Sequence, residues 1–109
     1  GDGTQVRDFV YVGDVVRALL QIESAAPMRG EVYNVATGRG ISTADLMNLV
    51  AAELGADPQV AWSGSIRAGD PDKWLASIDR LRGIGFEPAT SLEDGVAATV
   101  AWAKETIRA

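Results

Sequence analysis

The side chains of this chain that could do chemistry are few in kind. Arg7 stands at the mouth of the apolar run Arg7-Asp8-Phe9-Val10-Tyr11-Val12, and Arg67 opens Arg67-Ala68-Gly69-Asp70 in a stretch broken by Gly64, Gly69 and Pro71. A guanidinium is planar, always charged, and spaces its donors to take two oxygens of a phosphate at once, so both arginines are candidate anion ligands. Composition leaves a plainer role open for each. A strand-end arginine can reach out to solvent or pair with a neighbour such as Asp8, and Arg67 with Asp70 can brace their own loop as an ion pair. Asp and Glu together number 15, enough for general acid–base work. Most stand at helix starts or on polar faces, where the helix dipole accounts for them.

What is missing narrows the chemistry further. The chain has no His and no Cys, which removes disulfides, thiolate nucleophiles, zinc fingers, Ser-His-Asp triads and His-bound metals. No glycine-rich phosphate loop of the G-x-G-x-x-G or P-loop type follows a strand; Gly38-Arg39-Gly40 comes nearest and lacks the third glycine. Tyr11 and Tyr33 are followed four residues later by Val15 and Thr37, so neither heads a Tyr-x-x-x-Lys pair. With 10 Lys and Arg against the 15 acids the formal charge is −5, and the pI near 4.5 argues against a nucleic-acid or anionic-membrane partner. No apolar run approaches the ~20 residues of a membrane span and no leader pattern opens the chain, so a cytoplasmic domain is expected.

The elements that must position these residues follow from periodicity. Length (109 residues) and an apolar share of 47% suit a single domain spanning 1–109. Residues 7–12, rich in β-branched and aromatic types, predict a short strand. Asp14 then reads as an N-cap or first-turn acid. Val15, Val16, Leu19, Leu20 and Ile22 share a helical face, stopped by Pro27 and Gly30. Residues 31–36 predict a second strand closed by Thr37-Gly38-Arg39-Gly40. Ser42-Thr43-Ala44-Asp45 resembles a capping box, Leu46, Met47, Leu49, Val50 and Leu54 make an apolar stripe, and Gly55 is placed to end that helix. Residues 58–62 predict an edge strand, 63–73 a loop, 74–78 an extended segment, and Asp79-Arg80-Leu81 a short helix stopped by Gly83 and Gly85. Ser91-Leu92-Glu93-Asp94 opens a last helix whose Leu92, Val96, Val100, Ala103 and Ile107 form one stripe. The expectation is a small mixed α/β domain.

Four segments also carry a resemblance. Gly1-Asp2-Gly3-Thr4-Gln5-Val6-Arg7-Asp8-Phe9-Val10-Tyr11-Val12 resembles the start of the C-terminal part of the NAD-dependent epimerase/dehydratase family, the extended short-chain dehydrogenases acting on nucleotide sugars, UDP-glucose 4-epimerase among them. Glu31-Val32-Tyr33-Asn34-Val35-Ala36-Thr37-Gly38 is similar to a strand and turn of that family, and Arg67-Ala68-Gly69-Asp70 to its R-x-G-D loop. Gly85-Phe86-Glu87-Pro88 followed by Ser91-Leu92-Glu93-Asp94-Gly95 is similar to the entry of its last helix. All four occur in the family's order. Two positions depart from its pattern: Gly13, where an acid is common, and Ser77, near which an Asp is common.

The resemblance implies a role for each candidate. Arg7 and Arg67 would grip the diphosphate of a nucleotide sugar, a UDP-sugar foremost, and Asp70 would accept a hydrogen bond from the ribose. Asn34 and Thr37 would serve as bracing or as substrate contacts. The family's glycine fingerprint, NAD pocket and Ser/Thr–Tyr–Lys group lie in its N-terminal Rossmann half, which this chain lacks. The expectation is therefore a substrate-binding C-terminal fragment of an NAD-dependent epimerase or dehydratase. It would bind no NAD and perform no catalysis alone, and it would self-associate through faces that the missing half would cover. In the parent, NAD would take a hydride from the sugar and return it. Two rivals remain: a stand-alone nucleotide-binding module without catalysis, and an oligomerisation element.

Overall fold

The computed structural model describes residues 1–65 and 68–108. Its elements in chain order are β1 (Val6–Arg7), α1 (Val12–Ala25), β2 (Ile41–Ser42), α2 (Thr43–Leu54), β3 (Lys73–Trp74), α3 (Asp79–Gly83) and α4 (Leu92–Arg108). The strands form one small mixed sheet in the order β2-β1-β3. β1 runs antiparallel to β2, with Val6 opposite Ser42, and parallel to β3, with Arg7 opposite Trp74.

The helices α2 and α4 form where periodicity and end signals agree. α2 begins at Ser42, whose hydroxyl accepts the Asp45 N–H at 3.0 Å and donates to the Asp45 carboxylate at 2.6 Å, a reciprocal cap. It ends at Gly55, whose φ of 67° is the left-handed conformation that lets the next amides fold back onto the last turn. Ser91 opens α4 in the same way, accepting the Asp94 N–H at 3.0 Å. Along α4, Val96 and Val100 are buried, Leu92 and Ala103 half-buried, and Ile107 exposed, while α2 packs alongside.

The core joins Ala18 of α1 to Ala36, Ile78, Leu81 and Phe86, with Ile22, Tyr33, Val35, Ala76 and Ile84 packed against it. A buried carboxylate ties α1 to the far end of the chain. Asp14 accepts the N–H groups of Ala89 and Thr90 at 3.2 and 2.9 Å and pairs with Arg17. Arg17 in turn donates to the Glu87 carbonyl and lies over the Phe86 ring. Burial alone would raise the Asp14 pKa. The Thr90 and Ala89 amides and the Arg17 guanidinium outweigh it and hold the carboxyl below its ordinary value.

Several strand expectations need correction. The strand expected over residues 7–12 is only Val6–Arg7, because its partners in β2 and β3 are themselves two residues long and α1 already begins at Val12. Residues 31–36 and 58–62 form no ladder among the described residues. The first of these is held by side chains instead: Arg80 donates to the Val32 carbonyl and Asn34 to the Ser77 carbonyl. The extended segment expected over 74–78 contributes only Trp74, beside Lys73, to β3. The α1 stripe expected from Val15, Val16, Leu19, Leu20 and Ile22 divides. Val15 and Ile22 are partly covered, while Val16, Leu19 and Leu20 are exposed, because the core sits under Asp14, Ala18 and Ile22.

Candidate functional site

The site is built at the end of β1. There the guanidinium of Arg7 is fixed from two sides: Nη1 donates to the Val6 carbonyl at 2.9 Å, and Nη2 donates to Asp70 Oδ1 at 3.0 Å. The side chains of Arg7 and Asp70 are 24% and 48% exposed, so the pair faces solvent without being free in it. Next along the chain, Asp8 turns to a different task. Its carboxylate accepts Thr37 N–H at 2.9 Å, Thr37 Oγ1–H at 2.6 Å and Gly38 N–H at 2.8 Å, which pins the 37–38 turn to the end of β1.

Arg7 and Asp70 open onto a cavity of about 590 Å³ that is also lined by Gly1, Gln5, Thr43, Ser65 and Asp72. Its walls are held by backbone hydrogen bonds. The Gly1 nitrogen donates to the Ser65 carbonyl at 2.7 Å, Gly64 N–H donates to the Gly1 carbonyl at 3.2 Å, and Val6 N–H donates to the Asp72 carbonyl at 2.8 Å. Gly3 has a φ of +86° and lies against the Trp62 ring, where a Cβ would meet Trp62 Cζ2 at 2.7 Å. Beside it, the Asp2 carboxylate gathers the Thr4 hydroxyl, the Thr4 N–H and the Gln5 amide. These bonds, the Thr4 hydroxyl foremost, lower its pKa to about 2.

The first amides of α2, whose Thr43 lines this cavity, are already committed. Thr43 N–H donates to the Gln5 carbonyl, Ala44 N–H to the Gly3 carbonyl and Asp45 N–H to Ser42 Oγ. A helix N-terminus so occupied offers no open cradle for a pyrophosphate. Gly40, in the nearest glycine-rich turn, is packed: a Cβ there would meet Val6 and Leu75 within 2.6 Å. No cluster of three or more carboxylates suited to a metal ion occurs among the described residues.

Of the residues singled out from sequence, the structure brings Arg7 and Asp70 together across 63 positions. The neighbour pairing of Arg7 with Asp8 is not the one made, because Asp8 is saturated by the 37–38 turn. Arg67 lies outside the described residues, and with it the ion pair considered between Arg67 and Asp70. Thr37 acts as a brace through Asp8, as does Asn34 through Ser77. Gln5, Thr43, Ser65 and Asp72 were not anticipated as cavity residues. Gln5, Thr43 and Asp72 converge through the β1–β2 and β1–β3 pairings, for which two-residue strands leave no periodic signal, and Ser65 through the hydrogen bonds of residues 64–65 to Gly1.

Comparison with known proteins finds similarity in both sequence and fold. The model of the NAD dependent epimerase/dehydratase family matches residues 1–36. The chain is 37% identical to dTDP-glucose 4,6-dehydratase of Streptomyces griseus, over 94% of this chain and 31% of that protein. Its fold superposes with a TM-score of 0.85 on the UDP-glucose 4-epimerase of Thermotoga maritima solved with UDP-glucose, at 37% identity over 98% of this chain and 34% of the other. It superposes equally well, TM-score 0.85, on the UDP-glucuronic acid 4-epimerase of Bacillus cereus solved with NAD, at 25% identity over 99% of this chain and 33% of the other. The chain spans about a third of the length of the curated relatives it matches.

Proposed function

From a chain whose sequence and fold match the NAD-dependent epimerase/dehydratase family, we propose that it forms the nucleotide-sugar-binding part of such an enzyme, its C-terminal part. In this reading Arg7 and Arg67 hold the diphosphate, Asp70 accepts a hydrogen bond from the ribose, and a UDP-sugar is the ligand. The observation that carries it is the convergence of Arg7 and Asp70 on one cavity of nucleotide size. A guanidinium held at Nη1 by its own strand's carbonyl is pre-oriented to receive phosphate oxygens, which lowers the ordering cost of binding. Of the net charge of −5, the acids more than a Debye length from the cavity are screened, whereas Asp70 and Asp72 line it and act on the ligand directly.

The residues present do not fit NAD. Gly40 is packed against Val6 and Leu75 and the first α2 amides are occupied, so no step of hydride chemistry is derived from this chain. NAD and the acid–base group belong, in this reading, to the Rossmann half of the parent enzyme. The chain alone is then inert toward UDP-glucose with or without NAD, and product formed above the blank rate by the pure 109-residue protein overturns that. The location expected for such a protein is the cytoplasm; no described helix is long and apolar enough to cross a membrane.

Calorimetric titration with UDP tests the site. Arg7→Ala and Arg67→Ala should each weaken UDP by roughly 1.5–3 kcal/mol, about ten- to a hundredfold. Arg67→Lys should recover only part of that loss, because an ammonium keeps the charge but not the planar fork. NAD titrations should show no binding by any variant. An Arg67→Ala chain that binds UDP normally but melts earlier makes Arg67 a loop brace and removes it from the site.

A further inference from the structure

Resting on the reading above, that the cavity at β1 takes a nucleotide diphosphate, we propose that Asp70 is the resident counter-ion of Arg7 and that ligand entry is an exchange. The Asp70 carboxylate leaves Nη2 as a phosphate oxygen arrives, and it is thereby released toward the ligand's ribose. The geometry separates a fixed partner from a movable one. Arg7 sits on the central strand of the sheet with Nη1 bonded to Val6, and is three-quarters covered. Asp70 is half exposed and follows Gly69, which has a φ of +85° and, among the described residues, no atom within 4 Å of where a Cβ would stand. The contact between them is a single 3.0 Å hydrogen bond and not a two-pronged one. Exposed pairs of this kind are weak, and a phosphate group carries more charge and more acceptor oxygens than a carboxylate, so the exchange runs toward the ligand.

The consequence is opposite in sign for two ligands. Asp70 competes with any diphosphate for Arg7, but it rewards only a ligand that carries a ribose. Titrating the 109-residue chain with inorganic pyrophosphate and with UDP separates the two effects. Asp70→Asn should bind pyrophosphate roughly two- to fivefold more tightly than the parent chain, the worth of an exposed pair. Its preference for UDP over pyrophosphate should fall. Asp72→Asn is the control, because Asp72 lines the same cavity yet makes no ion pair with Arg7 among the described residues. An Asp70→Asn chain with unchanged or weaker pyrophosphate binding overturns the exchange. Equal tightening in Asp72→Asn overturns it too, by reducing the effect to general charge relief. Failure of the underlying reading looks different: either the parent chain binds neither ligand, or Arg7→Ala keeps both.

Discussion

Two of the three acids in the first 14 residues, Asp8 and Asp14, show how one residue type takes different work from its surroundings. Asp8 spends its oxygens on the 37–38 turn, whereas Asp14 is buried and joins α1 to residues 89–90. Removing the Asp14 carboxylate leaves two amides and half of an ion pair unmatched. Asp14→Ala should therefore cost roughly 2–3 kcal/mol and lower the melting temperature by about 10 °C. The pH sign follows from the depressed pKa. Stability from Asp14 is fully present above the ordinary value of 3.8 and is lost as pH falls through the lower folded value. Thermal melts between neutral pH and pH 3 should show the gap between the native chain and Asp14→Asn narrowing toward acid. A gap that stays constant means the carboxylate's charge is not what the fold uses.

At the level of elements, α2 is the piece whose formation rests most on local signals, and it also carries Thr43 into the cavity wall. Ser42→Ala removes the reciprocal cap and should cost about 1 kcal/mol. Because Ser42 also pairs with Val6 in the sheet, the same change should loosen β1 and weaken UDP binding modestly. A second test addresses the wall formed by the first residues. Gly3→Ala drives a methyl into the Trp62 ring at a left-handed φ, so residues 1–5 or Trp62 must move. Shifted tryptophan emission together with weaker UDP binding is expected. Normal UDP affinity in that variant would separate the Gly3–Trp62 contact from the site.

The whole molecule is open for its length. Its radius of gyration is 16.6 Å, against about 13 Å for a compact chain of 100 residues. The looseness shows on α1, where Val12, Val16, Leu19 and Leu20 lie at i, i+4, i+7 and i+8 and are each 50–67% exposed. Met28 and Val32 are exposed as well. Apolar stripes of this kind normally meet a partner, and in the reading proposed above the parent's Rossmann half would be that partner. The isolated chain should self-associate. Light scattering at about 100 μM should report a mass above 11.5 kDa, and Leu19→Lys with Leu20→Lys should return it to the monomer. A clean monomer of the parent chain, binding no apolar dye, counts against this.

The amino-acid sequence alone determined what depends on residues near one another. The helices Thr43–Leu54 and Leu92–Arg108, with their Ser42, Gly55 and Ser91 boundaries, are written in capping groups and 3.6-residue stripes that act within one or two turns. The sequence also limited the chemistry, with no His or Cys and no phosphate loop, and it singled out Arg7, Arg67 and Asp70 as the charged groups to follow. Tertiary structure alone decided which groups meet. A strand exists only where another supplies its ladder, so the apolar runs at 7–12, 31–36 and 58–62 kept one ladder residue, Arg7, between them. Arg7 met Asp70 and not Asp8, and Asp14 met amides 75 and 76 residues away, because a carboxylate goes to whichever donors the folded chain brings within about 3 Å.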